Sequence, residues 1–450
     1  MGASPSPNRL VLRESARALA QGLLLPLRAT AYLARAERLR AELRADLAAP
    51  CGPAEPPPLP DLSGRRPVIF LSTAEASGEI HARNLARALR EACAAAGAQP
   101  PRLLGLGGAR LAAEGVELIG RPVERAQMGL SGISANLGYW LGLVRDCARA
   151  FGSEQPDVFV PVDSPALHVP LARIAHSCGV PVVHFVAPQY WGWAPWRARG
   201  YARAVDRALT ILPFEAAWFA RAGVHAAHVG HPLQDALAGV PATQPGEDAN
   251  TLVVLAGSRT RVVEQNLPWM LEVLGSVRAQ LRGAQILVAH EDAALEPLLA
   301  GIVARSGVPD VRLALGDLHG TLARARAAFS VSGTILIDLL HHRLPTVVLY
   351  RLGSAREEWL GRRFLTVPWF SSVNLLADAQ AYPEFSFHGE GPRVEVGAAL
   401  VRCYNDAPWR ALCGQRLELA AARLGGPGAC ARAARHVLAQ LRPPSPLVPS

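Results

Sequence analysis

Short apolar segments alternate with longer helical ones along most of this chain, and this alternation constrains the fold more than any other feature. Apolar runs at residues 67–72, 102–107 and 157–162 each end at glycine or polar residues, and the first leads into a helical pattern at 81–96. Strands separated by helices in this way form parallel sheets with helices on both faces. The sequence therefore predicts an α/β fold built on doubly wound sheets.

The series of strands and helices is interrupted once. Residues 239–250 are rich in Gly, Pro, Thr and Gln, and a second series follows them. We predict two Rossmann-like domains, at residues 64–238 and 251–420, each long enough to bury its own core. Residues 421–450 are predicted to form a C-terminal helix and tail. The last helices, at 409–441, either complete the second domain or fold back on the first.

Residues 1–63 have a different character from the rest of the chain. Residues 9–48 are rich in Ala, Leu and Arg and are predicted to be helical, and the Pro-rich residues 49–63 are predicted to form a stiff, extended linker. Two interpretations of the basic helical segment are equally supported. It either contacts an anionic membrane surface or packs against its own domain.

Composition excludes several classes of protein. All 46 basic residues are arginine, since the sequence contains no lysine, and P-loop NTPases, protein kinases and pyridoxal phosphate enzymes each depend on a lysine. The net charge of +9 suits an anionic partner such as a phospholipid or a phosphorylated substrate, and no nucleic-acid-binding motif is present. The seven cysteines are scattered without a CxxC pair, which favours a reducing compartment over a disulfide scaffold or a zinc site.

Two features of the first domain lie at the ends of predicted strands, where open parallel sheets bind their ligands. A loop of small residues at 73–79 opens a helix. Its backbone amides suit an anion or a sugar hydroxyl, and a simple N-cap is the alternative. Asp163 directly follows an apolar strand. A carboxylate there serves either as a general base or as a cap for the next loop.

Two loops of the second domain are also placed to bind an anion. The first contains Gly257, Ser258 and Arg259, where small residues allow close approach and the guanidinium suits a diphosphate. The second, at 332–334, precedes a helix that holds Asp338. The amides at the helix start favour a phosphate and the carboxylate suits ribose hydroxyls, although an ordinary capped helix has the same pattern. Together these features predict group transfer between two bound substrates.

The sequence does not predict a metal site. His225, His228 and His231 are spaced by three residues, but Gly223, Gly230 and Pro232 interrupt any helix that would align them. No Asp-x-Asp pair is present to hold a divalent ion on a diphosphate. We therefore expect metal-independent chemistry.

The motifs resemble, in the same order, those of the lipid-A-disaccharide synthase family. The resemblance extends from about residue 67 to residue 384. The matching segments are residues 74–79, 157–165, 184–193, 212–215, 230–233, 257–259, 332–334, 350–351, 374–377 and 383–384.

The resemblance implies an inverting glycosyltransferase with a GT-B arrangement, in which two Rossmann-like domains face each other across a cleft and neither metal nor cofactor is needed. The implied reaction moves 2,3-diacylglucosamine from its UDP derivative to 2,3-diacylglucosamine 1-phosphate. The products are the β-1,6-linked lipid A disaccharide and UDP. The implied location is cytoplasmic, with peripheral attachment to the inner face of the bacterial inner membrane.

The resemblance also implies roles for individual residues. Asp163 is the expected base. The expected acceptor-binding residues are Glu75, Ser77, Gly78 and Glu79. The expected UDP-sugar-binding residues are Gly257, Ser258, Arg259, Ser332, Gly333, Thr334, Asp338 and Asn374. Ala166 and Phe387 differ from the family pattern, and residues 1–63 have no counterpart in it. A second hypothesis is therefore a divergent GT-B glycosyltransferase with another lipid or sugar acceptor, or an inactive lipid-binding relative.

Overall fold

The computed structural model describes residues 6–126, 137–246 and 249–442, and the chain divides into two compact units. Unit 1 comprises Met1–Ala236 and Gly426–Ser450, and unit 2 comprises Leu237–Gly425. The chain therefore leaves unit 1 once and returns to it for its last helix. The outermost residues of both predicted terminal segments, 1–5 and 443–450, lie outside the described residues.

The elements of unit 1 begin with three helices and continue as alternating strands and helices. In chain order they are α1 (Pro7–Leu23), α2 (Leu25–Leu33), α3 (Ala36–Ala48), β1 (Val68–Ser72), α4 (Ala76–Ala95), β2 (Arg102–Leu106), α5 (Ala109–Ala113), β3 (Glu117–Gly120), α6 (Pro122–Ala126), α7 (Leu137–Ser153), β4 (Val158–Pro161), α8 (Pro165–Ser177), β5 (Val183–Phe185), α9 (Ala198–Tyr201), β6 (Arg207–Thr210), α10 (Glu215–Arg221), β7 (Ala226–His228) and α11 (Pro232–Leu237).

Every strand pair of unit 1 is parallel. Four strands are ordered β3-β2-β1-β4 and three are ordered β5-β6-β7. Parallel bridges from Phe159 to Val182 and from Val162 to Phe185 join β4 to β5. The middle strand of this second group, β6, lies at Arg207–Thr210. It ends there because the amides of Ile211 and Leu212 donate to the buried carboxylate of Glu215 instead of continuing the ladder.

The N-terminal helices pack against unit 1. The predicted helical segment is divided into three helices, with Pro26 in the first turn of α2. The linker that follows has no helix or strand at residues 50–62, and it is attached along the unit. Its hydrogen bonds join the amides of Cys51, Ala54 and Leu62 to the carbonyls of Pro213, His228 and Ala96. Of the two interpretations of residues 9–48, the structure thus shows packing of the segment against its own domain.

Unit 2 contains the second series of strands and helices. Its elements are β8 (Thr251–Leu255), α12 (Thr260–Val277), β9 (Gln285–His290), α13 (Glu296–Ser306), β10 (Val311–Leu315), α14 (Leu318–Ala323), β11 (Ala325–Val331), α15 (Ile335–His341), β12 (Thr346–Arg351), α16 (Ala355–Phe364), α17 (Ser372–Ala377), β13 (Glu384–Phe387), α18 (Arg393–Asn405) and α19 (Ala407–Leu424). The last helix, α20 (Ala429–Leu438), belongs to unit 1 and packs against α4.

The strands of unit 2 form one parallel sheet in the order β10-β9-β8-β11-β12-β13. The core lies between this sheet and helices such as α12 and α18, and includes Val254, Met270 and Phe329. Such buried parallel strands carry near-continuous apolar runs. This explains why the sequence pattern predicted the α/β fold, which the structure confirms.

The order of the strands determines which loops are neighbours. In unit 1, β1 pairs with β4, so the loop at 73–79 and Asp163 leave the sheet side by side. In unit 2, β8 pairs with β11, which places the loop at 256–259 beside residues 332–334. In the described parts of the chain, no helix combines the length and apolar character needed to cross a membrane.

Candidate active site

The loop at 73–79 lies against Asp163. A Cβ atom added to Gly78 would be 2.6 Å from Oγ1 of Thr73 and 3.7 Å from Cβ of Asp163. Glycine therefore permits this close approach, which a larger residue would widen. The negative charge of Glu75 also acts on Asp163. The structure thus brings together Glu75, Gly78 and Asp163, as the sequence predicted for neighbouring strand ends.

The carboxylate of Asp163 is largely buried. Burial raises the pKa of Asp163, the nearby charge of Glu75 raises it further, and a hydrogen bond from the amide of Ser164 acts in the opposite direction. A carboxylate with a raised pKa is a stronger proton acceptor than an ordinary aspartate. The electrostatics of the site therefore suit general-base catalysis.

The backbone of Asp163 has an unusual conformation. Its φ is +56°, and that of Ser164 is +49°. Both values lie in the left-handed region, which costs on the order of 1–3 kcal/mol for each non-glycine residue. The amide of Asp163 donates to the carbonyl of Phe185 at 3.0 Å. Its own carbonyl accepts from Nδ1 of His168 at 2.5 Å and from Nε2 of His184 at 3.1 Å. These hydrogen bonds hold the strained loop in place.

The two histidines are neutral and have defined tautomers. A carbonyl oxygen only accepts, so His168 donates from Nδ1 and its Nε2 accepts from the hydroxyl of Ser72 at 2.9 Å. Burial lowers the pKa of His168 to about 4 and that of His184 to about 3. Both therefore act as hydrogen-bond donors that orient the loop of Asp163. No sequence motif predicted a role for His168. Its only signal there is a polar residue on the apolar face of α8.

We expect the substitution His168→Phe to lower kcat by about tenfold with little change in KM, because the loop of Asp163 loses one of the bonds that position it. His168→Asn keeps a side-chain N–H near the position of Nδ1 and should recover part of the loss. Steady-state kinetics of both variants, with thermal melting to compare their folding, test this role. Equal kcat values for the two variants at equal stability would contradict it.

The other predicted acceptor residues occupy two different positions. Ser77 is half-buried in the first turn of α4, beside Gly78. Glu79 points into the unit instead, where it is buried and accepts from the amide of Leu111 at 3.0 Å. Glu79 thus stabilises the start of α5, and the structure places it apart from Glu75 and Asp163.

The loop that contains Gly257, Ser258 and Arg259 leads into α12, and it leaves the N-terminus of that helix without a side-chain cap. Gly257 has φ of +120°, and a Cβ there would overlap the side chain of Val262. Ser258 and Arg259 are exposed. The N-terminus of α12 has neither a side-chain cap nor an acidic residue in its first turn. The free amides at this end, together with the guanidinium of Arg259, form a site for an anion.

The second loop lies next to the first. Val331 is 3.7 Å from the Cβ position of Gly257. Gly333 and Thr334 are exposed, and Ser332 is half-buried. Asp338 lies one turn further along. Burial and the negative charge of Glu291 raise the pKa of Asp338 to about 7. Near neutral pH its carboxyl group is thus present in both forms, and it can exchange hydrogen bonds with hydroxyl groups.

Asn374 has a different environment from these loops. Its side chain is fully buried. Its Nδ2 donates to the carbonyl of Tyr382 at 2.8 Å and to Glu384 at 3.0 Å, and its Oδ1 accepts from the amide of Tyr382 at 2.7 Å. The hydrogen-bonding groups of Asn374 are therefore used within unit 2. Asn374 is thus part of the framework of unit 2, whereas the resemblance implied a contact with the nucleotide.

The histidines at residues 225–231 do not converge. His225 is exposed, whereas His228 and His231 are buried. Burial lowers the pKa of His228 to about 4 and that of His231 to about 3. Across the described ranges, no group of three or more His, Cys, Asp or Glu side chains is arranged to hold a metal ion.

Solved structures share this fold. The chain is similar to a putative UDP-N-acetylglucosamine 2-epimerase from Listeria monocytogenes, with a TM-score of 0.54 and 12% identity over 84% of this chain and 96% of that one. It is also similar to UDP-GlcNAc 2-epimerase from Neisseria meningitidis bound to UDP-GlcNAc, with a TM-score of 0.52 and 12% identity over 81% and 96% of the two chains. At this identity the likeness shows the fold alone, which is GT-B-like.

Sequence comparison then defines the family. A family model described as lipid-A-disaccharide synthetase matches residues 69–407. The lipid-A-disaccharide synthase of Myxococcus xanthus strain DK1622 is 34% identical over 388 residues, which are 84% of this chain and 98% of the relative. That of Acidobacterium capsulatum is 34% identical over 337 residues, 71% and 82% of the two chains. The chain belongs to the lipid-A-disaccharide synthase family, which confirms the resemblance of its motifs.

Proposed function

We propose that this protein is an inverting, metal-independent glycosyltransferase that forms the lipid A disaccharide. It transfers 2,3-diacylglucosamine from UDP-2,3-diacylglucosamine to 2,3-diacylglucosamine 1-phosphate, with release of UDP. Membership of the family supports this reaction. The structural observation that carries it is Asp163, a largely buried carboxylate with a raised pKa in a loop held by two neutral histidines.

In the proposed reaction, the carboxylate of Asp163 removes the proton from the 6-hydroxyl of the acceptor. The hydroxyl oxygen bonds to the anomeric carbon of the donor as the bond from that carbon to the UDP oxygen breaks. Attack on the face opposite the leaving group inverts the anomeric configuration. The proton remains on Asp163, and the electron pair of the broken bond leaves with UDP.

The loops of unit 2 are proposed to bind the donor. Arg259 and the open amides of α12 would neutralise the charge that develops on the departing diphosphate. Residues 332–334 would contact a phosphate or the sugar, and Asp338 the ribose hydroxyls. In unit 1, Glu75 and Ser77 are proposed to contact the acceptor sugar beside Asp163, with Glu79 and Asn374 as supporting residues.

Peripheral attachment to the inner face of the bacterial inner membrane is part of this proposal. Large apolar side chains project from α1 and α2, where Leu19 is 72% exposed, Leu23 82% and Leu27 68%. The same segment is rich in arginine, and the whole chain carries a charge of +9. Exposed leucines beside arginines are typical of a surface that binds anionic membranes. Such attachment would bring the enzyme to its acylated substrates.

The proposed reaction is tested with purified full-length protein, both acylated substrates and EDTA. We expect the disaccharide to be detected by mass spectrometry when both substrates are present and to be absent when either is omitted. Loss of the product in EDTA would contradict metal independence. Binding of UDP without disaccharide formation would contradict the assigned acceptor and support the second hypothesis of a divergent glycosyltransferase.

A further inference from the structure

A cavity of about 1790 Å³ lies in unit 1, between the N-terminal helices and the first α/β domain. One wall consists of residues from α1, α2 and α3, and the other of residues from α8, α9, α10 and the turn before α9. Sites that hold drug-sized molecules have volumes of roughly 300–1,000 Å³. This cavity therefore suits a larger molecule.

The N-terminal wall is firmly attached to the rest of the unit. Each of the three helices contributes to this attachment. Glu14 pairs with Arg173 at 2.6 Å, the ring of Tyr32 lies edge-on to Trp196 at 5.5 Å, and Asp46 pairs with Arg221. Glu14 and Asp46 are buried, and breaking a buried ion pair is costly. The N-terminal wall of the cavity is thus a folded surface that these contacts hold in place.

The cavity wall carries a large excess of positive charge. Among the described residues that line it are ten arginines but only two acidic residues, Glu14 and Glu42. Arginines of the same wall already pair with both acids, since Glu14 contacts Arg17 and Arg173, and Glu42 contacts Arg38. Over the parts of the chain that the structure describes, six arginines of the wall have no ion pair: Arg13, Arg28, Arg35, Arg197, Arg199 and Arg203. A concave surface with such an excess concentrates positive potential and attracts an anion.

Apolar side chains lie between these arginines. Leu24, Tyr32, Val169, Trp196 and Trp218 all contribute to the wall. Such surfaces bind hydrocarbon chains by burying apolar area, whereas guanidinium groups bind phosphates with charge-assisted hydrogen bonds. The combination suits one class of molecule, an amphiphile with a phosphate and acyl chains.

The cavity also begins next to the proposed catalytic loop. Pro165 and Ala166, which line it, follow Asp163 by two and three residues. A molecule bound in the cavity would therefore have part of its surface close to the start of α8, directly after the base. One of the two walls of the cavity consists of residues that precede residue 69, where the match to the family model begins.

We propose that this cavity binds the acylated sugar phosphate acceptor. Arginines of the N-terminal helices hold its phosphate, and the apolar side chains of the wall contact its acyl chains. The N-terminal helices are thus part of the acceptor site of this chain. This inference rests on the proposed function, because it identifies the occupant with the acceptor of that reaction.

The test compares two double variants of the full-length protein. Arg13→Ala with Arg28→Ala removes two arginines from the cavity wall. Arg9→Ala with Arg44→Ala removes the same charge from exposed positions of α1 and α3 that do not line it. Titration calorimetry with 2,3-diacylglucosamine 1-phosphate in neutral detergent micelles measures Kd without a membrane surface. We expect the first pair to weaken binding by at least about tenfold and the second by less than about twofold.

A third variant tests the cavity without changing any charge. Ala18 is exposed and lines the wall, so Ala18→Trp should fill part of the space and weaken acceptor binding while the melting temperature stays close to that of the wild type. Unchanged binding in Ala18→Trp and in the Arg13/Arg28 pair would overturn the proposal. An equal loss in both arginine pairs would overturn it as well, since it would indicate attraction by diffuse charge.

Three further outcomes separate this inference from its alternatives. If phosphatidylglycerol in the same micelles competes with the acceptor at equal affinity, the cavity is a general phospholipid site and the acceptor assignment is wrong. If the wild type binds 2,3-diacylglucosamine 1-phosphate through the cavity but forms no disaccharide, the proposed function fails and the cavity site stands. If the wild type does not bind this compound, the cavity proposal fails.

Discussion

The substitution Asp163→Asn is expected to lower kcat by about a thousandfold. Asparagine has almost the same size and shape as aspartate, but its amide cannot accept the proton of the acceptor hydroxyl. The loop should stay in place, because His168 and His184 bind the backbone carbonyl of residue 163 rather than its side chain. Affinity for UDP should therefore be retained. Steady-state kinetics and UDP titration measure the two quantities separately.

Asp146→Asn provides a matched control. Asp146 is a partly exposed residue of α7 in the same unit and pairs with Arg149, three residues away, so the same chemical change there should leave kcat unaltered. Turnover of Asp163→Asn at more than about a tenth of the wild-type rate would rule out Asp163 as the base, since general-base catalysis contributes at least about a hundredfold.

The pH profile provides a second measurement of the same assignment. The base acts only when it is deprotonated, so the rate falls as the pH drops through the pKa of Asp163. Burial and the charge of Glu75 both raise that pKa, and the acid limb of kcat/KM should therefore lie above the ordinary aspartate value of about 3.9. Removing the charge in Glu75→Gln should move the limb to lower pH. A limb that does not move would show that another group controls it.

Much of the fold could be predicted because local patterns determine it. The strand before Asp163 is a continuous apolar run, as expected for a strand that is buried on both faces, and it lies at Val158–Pro161. The placement of the last helices could not be predicted in the same way. Their apolar faces fit either unit, and the contact of α20 with α4 becomes apparent only in three dimensions. The end of the strand at Arg207–Thr210 likewise depends on a buried acid, Glu215, whose partners are set by the tertiary structure.

The candidate site, like the fold, could be predicted from the sequence only in part. The pairing of β1 with β4 and of β8 with β11 follows from the fold, so the loops at the strand ends could be predicted to meet. The direction of individual side chains could not. Glu79 lies one turn beyond Glu75 yet points into the unit, and the amide of Asn374 is used by Tyr382 and Glu384. The role of His168 depends on the left-handed backbone at Asp163, which no local pattern reveals.

The substitution Arg259→Ala is expected to weaken UDP binding by about thirtyfold, the effect of losing charge-assisted hydrogen bonds to a diphosphate. Arg259 is exposed at the start of α12, where the described residues provide neither an ion pair for it nor a side-chain cap for the helix. A bound diphosphate would supply an ion pair for Arg259 and a cap for the helix. Isothermal titration with UDP measures the change, which should decrease at high salt because screening weakens the contact in the wild type.

Arg261 provides the matched control for this prediction, because it is exposed in the first turn of the same helix and carries the same charge. Arg261→Ala should change UDP affinity by less than about threefold, since general attraction to an exposed charge is weak. Arg259→Lys should fall between the two, because lysine keeps the charge but cannot bind a phosphate with two parallel hydrogen bonds. Equal losses in Arg259→Ala and Arg261→Ala would indicate diffuse attraction to the helix end. Unchanged affinity in Arg259→Ala would place the donor diphosphate elsewhere in unit 2, with residues 332–334 as the next site to test.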